Sequence, residues 1–180
     1  MFLEGPAGRL EALLNQGASA ATHTALVCHP HPLFGGTMHN KVVFHAMKAL
    51  NGFGFPVLRF NFRGAGLSEG AHDEGRGEVE DTKTALRWLK ERFHLPVVVA
   101  GFSFGAATGL RAACPDAQVD ALIALGMPVR VDDRSYGYKF LSPASRQRYR
   151  RRAQPSLGGP DGGKFEGDPA GKGNYALYGD

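Results

Sequence analysis

One short segment, VVVAGFSFGAA at residues 97–107, limits what this chain can fold into more than any other. A β-branched run leads into Gly-x-Ser-x-Gly, and an alanine-rich segment that favours helix follows directly. This order predicts a strand, a tight turn and a helix, with Ser103 at the apex of the turn. Gly101 and Gly105 would let backbone pass close to backbone there, which permits a strained serine with an exposed hydroxyl. We therefore interpret Ser103 as a nucleophile; the alternative is an idle serine in a glycine-rich turn.

The rest of the first 141 residues alternates between strand and helix patterns. A hairpin is expected over Leu3–Leu14, and Thr37 can cap the first helix. Further strands are predicted over 25–28, 56–60, 96–102 and 119–125, and helices over 37–50, 78–93 and 104–114. Strands that alternate with helices this regularly indicate an α/β fold, a mostly parallel sheet covered by helices on both faces.

Residues 142–180 break this pattern. They are rich in Gly, Pro and Arg and have no apolar periodicity from which a strand could be built. The sequence thus predicts one α/β domain over residues 1–141 and a disordered tail over 142–180. The abrupt change of composition also suggests out-of-frame translation of a GC-rich gene, a hypothesis that the other two reading frames would test.

Composition argues against several classes of partner. The formal net charge is +4, and the basic residues cluster at Arg146–Arg152 outside any recognisable nucleic-acid-binding fold. The amino-terminal segment lacks the apolar run of a signal peptide, and no apolar run approaches membrane-spanning length. Cys28 and Cys114 lie in or beside apolar segments without the spacing of a disulfide framework. We therefore expect a cytoplasmic protein that binds neither nucleic acid nor membrane.

Three motifs together resemble a known family. They are CHPHPLFGGTMHNKVV at 28–43, VLRFNFRGAGLSEG at 57–70 and VVVAGFSFGAATGLRAA at 97–113. In this order and spacing they resemble the small bacterial α/β-hydrolase-fold proteins, which are predicted hydrolases distantly similar to dienelactone hydrolases and serine peptidases. The resemblance covers roughly residues 1–130. It implies a serine hydrolase that acts on an ester, thioester or peptide-type bond of a small acyl substrate.

The resemblance also implies roles for individual residues. Ser103 matches the nucleophile, and the backbone N–H of Phe104 matches one donor of the oxyanion hole. The second donor should come from the loop HPHP, in which the two prolines have no N–H to give. The family's His-Gly-x pattern places this donor at His31, with Leu33 as the fallback. Arg63 begins a turn similar to the family's RGxGxS turn, where we expect it in a structural hydrogen-bond network.

Two rival motifs are less favoured. The glycines at 64, 66 and 70 could form a dinucleotide loop, but no helix opens directly after them and acidic residues follow. Four histidines could form a metal cluster, at positions 29, 31, 39 and 45. However, His39 and His45 are six residues apart on a predicted helix, so they do not share a face. We expect no cofactor and no metal.

The histidines depart from the family's pattern. An α/β hydrolase places its catalytic acid and histidine after the serine, whereas all seven histidines here precede Ser103. Asp132 or Asp133 could stand in as the acid, but we favour turn residues. The final strands are also missing from the pattern after Leu141. The chain therefore resembles a family member that is truncated or altered at its C-terminus.

Two functions stay open. One is hydrolysis through Ser103, for which His29 and His31 are the only histidines expected nearby. The other is a catalytically incomplete member that binds a ligand or partner through the same pocket, because a serine without a base is a poor nucleophile. Missing final strands would also leave a sheet edge exposed, through which the chain could form oligomers.

Overall fold

The described part of the chain comprises residues 1–114, 116–127 and 175–178 of a computed structural model, the last four as backbone only. Its strands are β1 (Phe2–Gly5), β2 (Gly8–Asn15), β3 (Thr24–Cys28), β4 (Val57–Phe60), β5 (Val97–Phe102), β6 (Val119–Leu125) and β7 (Tyr175–Tyr178). Its helices are α1 (Lys41–Gly52), α2 (Arg76–Phe93) and α3 (Phe104–Ala113), with a 3₁₀ turn at Pro32–Phe34. Each predicted strand and helix up to residue 125 is confirmed, with small shifts of its ends.

The strands form one mixed sheet in the order β1-β2-β4-β3-β5-β6-β7. The four central strands β4, β3, β5 and β6 are parallel, whereas the β1–β2 hairpin and β7 are antiparallel additions at the two sides. Because parallel strands all end at the same edge, the loops after β3, β4 and β5 come together there. This edge is where a site is expected.

Helices cover both faces of the sheet, as predicted. On one face α1 packs against alternate strand residues in a core that includes Val43, Met47, Val27 and Val98. On the other face α2 and α3 bury a larger core; its members include Leu26, Leu58, Phe60, Leu86, Leu89, Val99 and Ala112. Alternate residues of each strand therefore serve opposite cores, which explains the near-continuous apolar character of the central strands.

The start of α1 differs from the prediction. Asn40 caps this helix, since its Oδ1 accepts a 2.9 Å hydrogen bond from the Val42 N–H. Thr37 lies in the turn before, where its carbonyl oxygen accepts from the Asn40 N–H at 3.0 Å. Both residue types are good caps, so the sequence alone could not choose between them.

The strand β7 was not expected from the sequence. Its four residues pair antiparallel with β6, from Ala124 opposite Tyr175 to Ala121 opposite Tyr178. A four-residue strand between glycine-rich segments has no apolar periodicity long enough to recognise. Among the described strands, β6 is paired on both sides, and β1 and β7 lie at the two edges of the sheet. Association through a sheet edge stays a prediction.

The other predictions for the C-terminal part lie outside the described residues. These are the disordered tail, apart from 175–178, and the stand-in acid at Asp132 or Asp133. Both stay predictions. The two cysteines lie within the described part, and no disulfide bond joins them. Burial raises the pKa of the Cys28 thiol to about 12, with the hydrogen bond to Thr82 a smaller opposing effect, so this thiol stays protonated.

His29 connects the end of β3 to the residues that follow β4. Its side chain is fully buried, its Nε2 accepts a 2.9 Å hydrogen bond from the Phe62 N–H, and its Nδ1 lies 2.6 Å from the Pro30 carbonyl oxygen. An N–H can only donate and a carbonyl can only accept, so the proton is on Nδ1. Burial lowers the pKa of His29 to about 4, and the bond to the carbonyl opposes this only in part.

Arg63 is held by a buried ion pair, which confirms its predicted structural role. Its Nε and Nη2 donate to the two carboxylate oxygens of Asp81 at 3.0 and 2.7 Å, and its backbone N–H donates to the same carboxylate at 3.0 Å. Asp81 is fully buried on α2. Gly77 leaves room for the guanidinium, since a Cβ there would lie 2.0 Å from Arg63 Nη1. The turn after β4 is thereby fixed to α2.

We predict that His29 makes the folded chain sensitive to acid. Its pKa falls from 6.5 to about 4 on folding, so between these values the unfolded chain binds a proton that the folded chain does not. The free energy of unfolding should therefore fall as the pH falls through this window, by on the order of 3 kcal/mol in total. Urea unfolding from pH 7.5 to pH 4 should show this loss in the wild type and a clearly smaller loss in His29→Gln. The exposed control His45→Gln should keep it; equal slopes in all three chains would contradict the prediction.

A second prediction concerns the ion pair of Arg63. Arg63→Ala leaves the Asp81 carboxylate buried without its partner, which should lower the free energy of unfolding by about 3 kcal/mol. Arg76→Ala is the matched control, because Arg76 also pairs with a carboxylate, that of Asp73, but its side chain is 76% exposed. It should cost less than about 1 kcal/mol. Urea denaturation at pH 7 measures both, and similar small losses would show that the buried pair does not hold the turn.

Candidate active site

Ser103 lies between the end of β5 and the first residue of α3. Its backbone angles are φ 54° and ψ −117°, a region that residues with a side chain rarely adopt. The Ser103 N–H donates a 2.8 Å hydrogen bond to the carbonyl oxygen of Leu125, which ties the turn to the neighbouring strand β6. The side chain is half-buried. The strained conformation predicted for this serine is confirmed.

The two glycines of the motif make this turn possible because they lack a Cβ. A Cβ on Gly101 would lie 2.3 Å from the carbonyl oxygen of Gly105, and one on Gly105 would lie 2.4 Å from the carbonyl oxygen of His29. The first turn of α3 therefore rests directly on the backbone at the end of β3. The need for glycine here is steric, as the sequence predicted.

The backbone N–H groups of His31 and Phe104 donate to no described residue. Phe104 is the first residue of α3, where N–H groups have no partner within the helix. His31 precedes the 3₁₀ turn, and its carbonyl oxygen accepts from the N–H groups of Phe34 and Gly36, both at 3.1 Å. The fallback donor is in use, because the Leu33 N–H donates to His31 Nδ1 at 3.3 Å. Within the described part, the N–H groups of His31 and Phe104 therefore have no acceptor.

The rings of these two residues are in contact. The centroids of the His31 and Phe104 rings are 4.7 Å apart, and the centroid of the Phe34 ring lies 4.8 Å from that of His31. Phe34 is 85% exposed. The loop after β3 and the start of α3 therefore lie side by side, with an aromatic surface that extends from Phe104 out to solvent.

A third histidine lies at this edge of the sheet, in addition to the expected His29 and His31. His72, in the loop between β4 and α2, has its ring centroid 4.8 Å from that of His31 and 5.7 Å from that of Phe104. A sign was available in the sequence, since β4 and β3 are neighbouring parallel strands and the loops at their carboxyl ends meet. The sequence does not predict the conformation of the loop between β4 and α2, which folds back over this edge.

His72 contacts a buried carboxylate. Its Nδ1 lies 2.8 Å from Oε1 of Glu78, close enough for an ion pair but without the geometry of a hydrogen bond. Glu78 is fully buried in the first turn of α2. Its oxygens accept hydrogen bonds from the N–H groups of Asp73 and Gly75 at 2.9 and 2.8 Å. Glu78 therefore fixes both the start of α2 and the loop that carries His72.

Histidine chemistry at this edge is restricted. His29 has both ring nitrogens engaged in the interior, so it is available neither as a base nor as a metal ligand. Burial, and to a smaller extent the charge of His72, lowers the pKa of His31. His31 is therefore neutral at pH 7, with Nδ1 as an acceptor. Among the described residues, no group of three His, Cys, Asp or Glu side chains could hold a metal ion.

Comparisons with known proteins agree on the family. A family model for the alpha/beta hydrolase fold matches residues 26–167. The protein RP471 of Rickettsia prowazekii is 39% identical over 145 residues, which is 79% of this chain and 60% of that protein.

No helix in the described part is both long enough and apolar enough to span a membrane.

Solved structures show the same relationship. An alpha-beta serine hydrolase homologue from Coxiella burnetii is 42% identical, with a TM-score of 0.69 over 73% of this chain and 64% of its own. XC6422 from Xanthomonas campestris, an a/b serine hydrolase without lid, is 39% identical, with a TM-score of 0.68 over 73% of this chain and 62% of its own. The chain thus spans a little over three fifths of the length of these relatives. It belongs to the α/β hydrolase fold family.

Proposed function

We propose that this chain is a serine hydrolase in which Ser103 attacks the acyl carbon of an ester, thioester or peptide-type bond. One observation supports this most: a strained serine directly precedes Phe104, and the backbone N–H groups of Phe104 and His31 have no acceptor in the described chain. Strain of this kind is found where a turn must hold a side chain outward for chemistry. Serine hydrolase homologues among the similar structures support the same proposal.

The proposed reaction has two steps. In the first, the Ser103 oxygen bonds to the acyl carbon, its proton passes through water to the leaving group, and the bond from the acyl carbon to the alcohol, thiol or amine breaks. In the second, water attacks the acyl-serine, and the acid leaves as the serine regains its proton. The oxygen that becomes negative in each step would bind between the N–H groups of Phe104 and His31. Each such donor is worth on the order of 3 kcal/mol in the transition state.

The lack of a histidine after Ser103 sets the expected rate. All seven histidines precede Ser103, and His29 is engaged in the interior. This observation favours the second candidate, a catalytically incomplete member that binds a ligand or partner through the same pocket. A serine hydrolase that lacks one member of its triad retains on the order of 10³-fold acceleration over water through its oxyanion hole. We therefore expect slow hydrolysis of a generic ester such as p-nitrophenyl acetate.

The prediction for Ser103→Ala separates the two candidates. The substitution should reduce ester hydrolysis by the purified chain to the rate in buffer and abolish covalent labelling by a fluorophosphonate, which bonds to an activated serine oxygen with loss of fluoride. The melting temperature should change little, because a serine hydroxyl at a turn contributes little packing. Ester hydrolysis and intact-mass spectrometry measure these effects.

Ser19→Ala is the matched control, since Ser19 is an exposed serine in a turn away from this edge. It should keep both hydrolysis and labelling. Hydrolysis that survives in Ser103→Ala would end the assignment of the nucleophile. A wild-type chain that neither hydrolyses the ester nor takes the label would favour the binding role instead.

A further inference from the structure

His72 forms an aromatic cluster with His31 and Phe104, the two residues whose N–H groups are candidate oxyanion donors. Its ring contacts both of theirs, and those two also contact each other, at centroid distances from 4.7 to 5.7 Å. The three rings come from three separate segments: the loop after β3, the loop after β4 and the start of α3. The cluster is therefore where these segments are fixed relative to one another.

The β3 loop has few other attachments at this point. Within the described part, the hydrogen bonds of Phe34 and Gly36 close the loop on His31 itself and do not connect it to α3. Leu33 and Phe34 are 68% and 85% exposed. The close approach of Gly105 to the His29 carbonyl oxygen fixes the start of this loop against α3. Beyond that point, contact between rings is the restraint on how far the His31 N–H lies from that of Phe104.

His72 also contacts a buried carboxylate, that of Glu78. Glu78 is fully buried and is fixed by two backbone N–H groups, and its Oε1 lies 2.8 Å from His72 Nδ1. The other charged groups around Glu78 are the ion pair of Arg63 with Asp81, and Asp73 at the end of the loop. The imidazole of His72 therefore contacts the carboxylate of Glu78 as well as the rings of His31 and Phe104.

We infer that His72 is a positioning residue for the oxyanion hole: through its ring it holds His31 at the distance from Phe104 at which both N–H groups reach one oxygen. This inference rests on the proposed function. This positioning role depends on the ring of His72 and does not require its nitrogens to accept a proton as a base would. Loss of the ring should leave the serine intact but misplace one donor, and a displacement of about 1 Å in such a site is costly.

The test compares His72→Ala, which removes the ring, with His72→Phe, which keeps a ring of similar shape but no nitrogen. With p-nitrophenyl acetate, His72→Ala should lower kcat about tenfold and leave KM within about twofold, because the donor acts mainly in the transition state. It should weaken inhibition by phenylboronic acid, which forms a tetrahedral adduct on serine, by a similar factor. His72→Phe should stay within about threefold of the wild type in both assays. His45→Ala, on the exposed side of α1, should match the wild type.

Each outcome of these assays either supports or overturns the inference. A His72→Ala chain within twofold of the wild type in both assays would overturn the inference. A His72→Phe chain as impaired as His72→Ala would also overturn it, because the nitrogen and not the ring would then be needed, as for a base. If the wild type proves inactive, the proposed function fails, and amide hydrogen exchange of residues 29–36 tests the cluster alone. Exchange faster in His72→Ala but not in His72→Phe supports the inference, and equal exchange in all chains contradicts it.

Discussion

The close approach of α3 to the end of β3 is the contact on which the site depends. With no Cβ at Gly105, the backbone of the helix comes against the carbonyl groups of Cys28 and His29, closer than any side chain would allow. The approach brings the first N–H of α3 beside the loop that carries His31. Ser103 lies between this strand and this helix, and its backbone adopts a strained conformation there. The candidate site therefore depends on both the order of the strands and the placement of the glycines.

Buried polar groups hold the surrounding loops at this edge. His29 joins the β3 loop to the backbone after β4, and the pair of Arg63 with Asp81 joins that backbone to α2. Glu78 adds the loop of His72 to the same helix. Such groups are costly to bury unless they are paired, so each connection is rigid only while all of its partners are present. The edge is thus fixed by polar contacts that span separate loops, above a core that is apolar.

The sequence predicted what depends on local pattern. Alternating strand and helix periods and the Gly-x-Ser-x-Gly turn led to the α/β sheet, the helices on both faces and the strained Ser103. It could not choose between Thr37 and Asn40 as the cap, since both fit. His72 was missed because its role depends on how a loop folds over the sheet edge, and the short strand β7 because four residues carry no period. Contacts between loops that are far apart in the chain could not be predicted from the residues alone.

The central claim is that the N–H groups of Phe104 and His31 converge on an oxygen bonded at Ser103. A crystal structure of the chain after reaction with a fluorophosphonate measures this directly. The account predicts phosphorus on the Ser103 oxygen and the phosphonyl oxygen within about 3 Å of both backbone nitrogens. A phosphonyl oxygen that faces solvent or other donors, or phosphorus on a different residue, would contradict it.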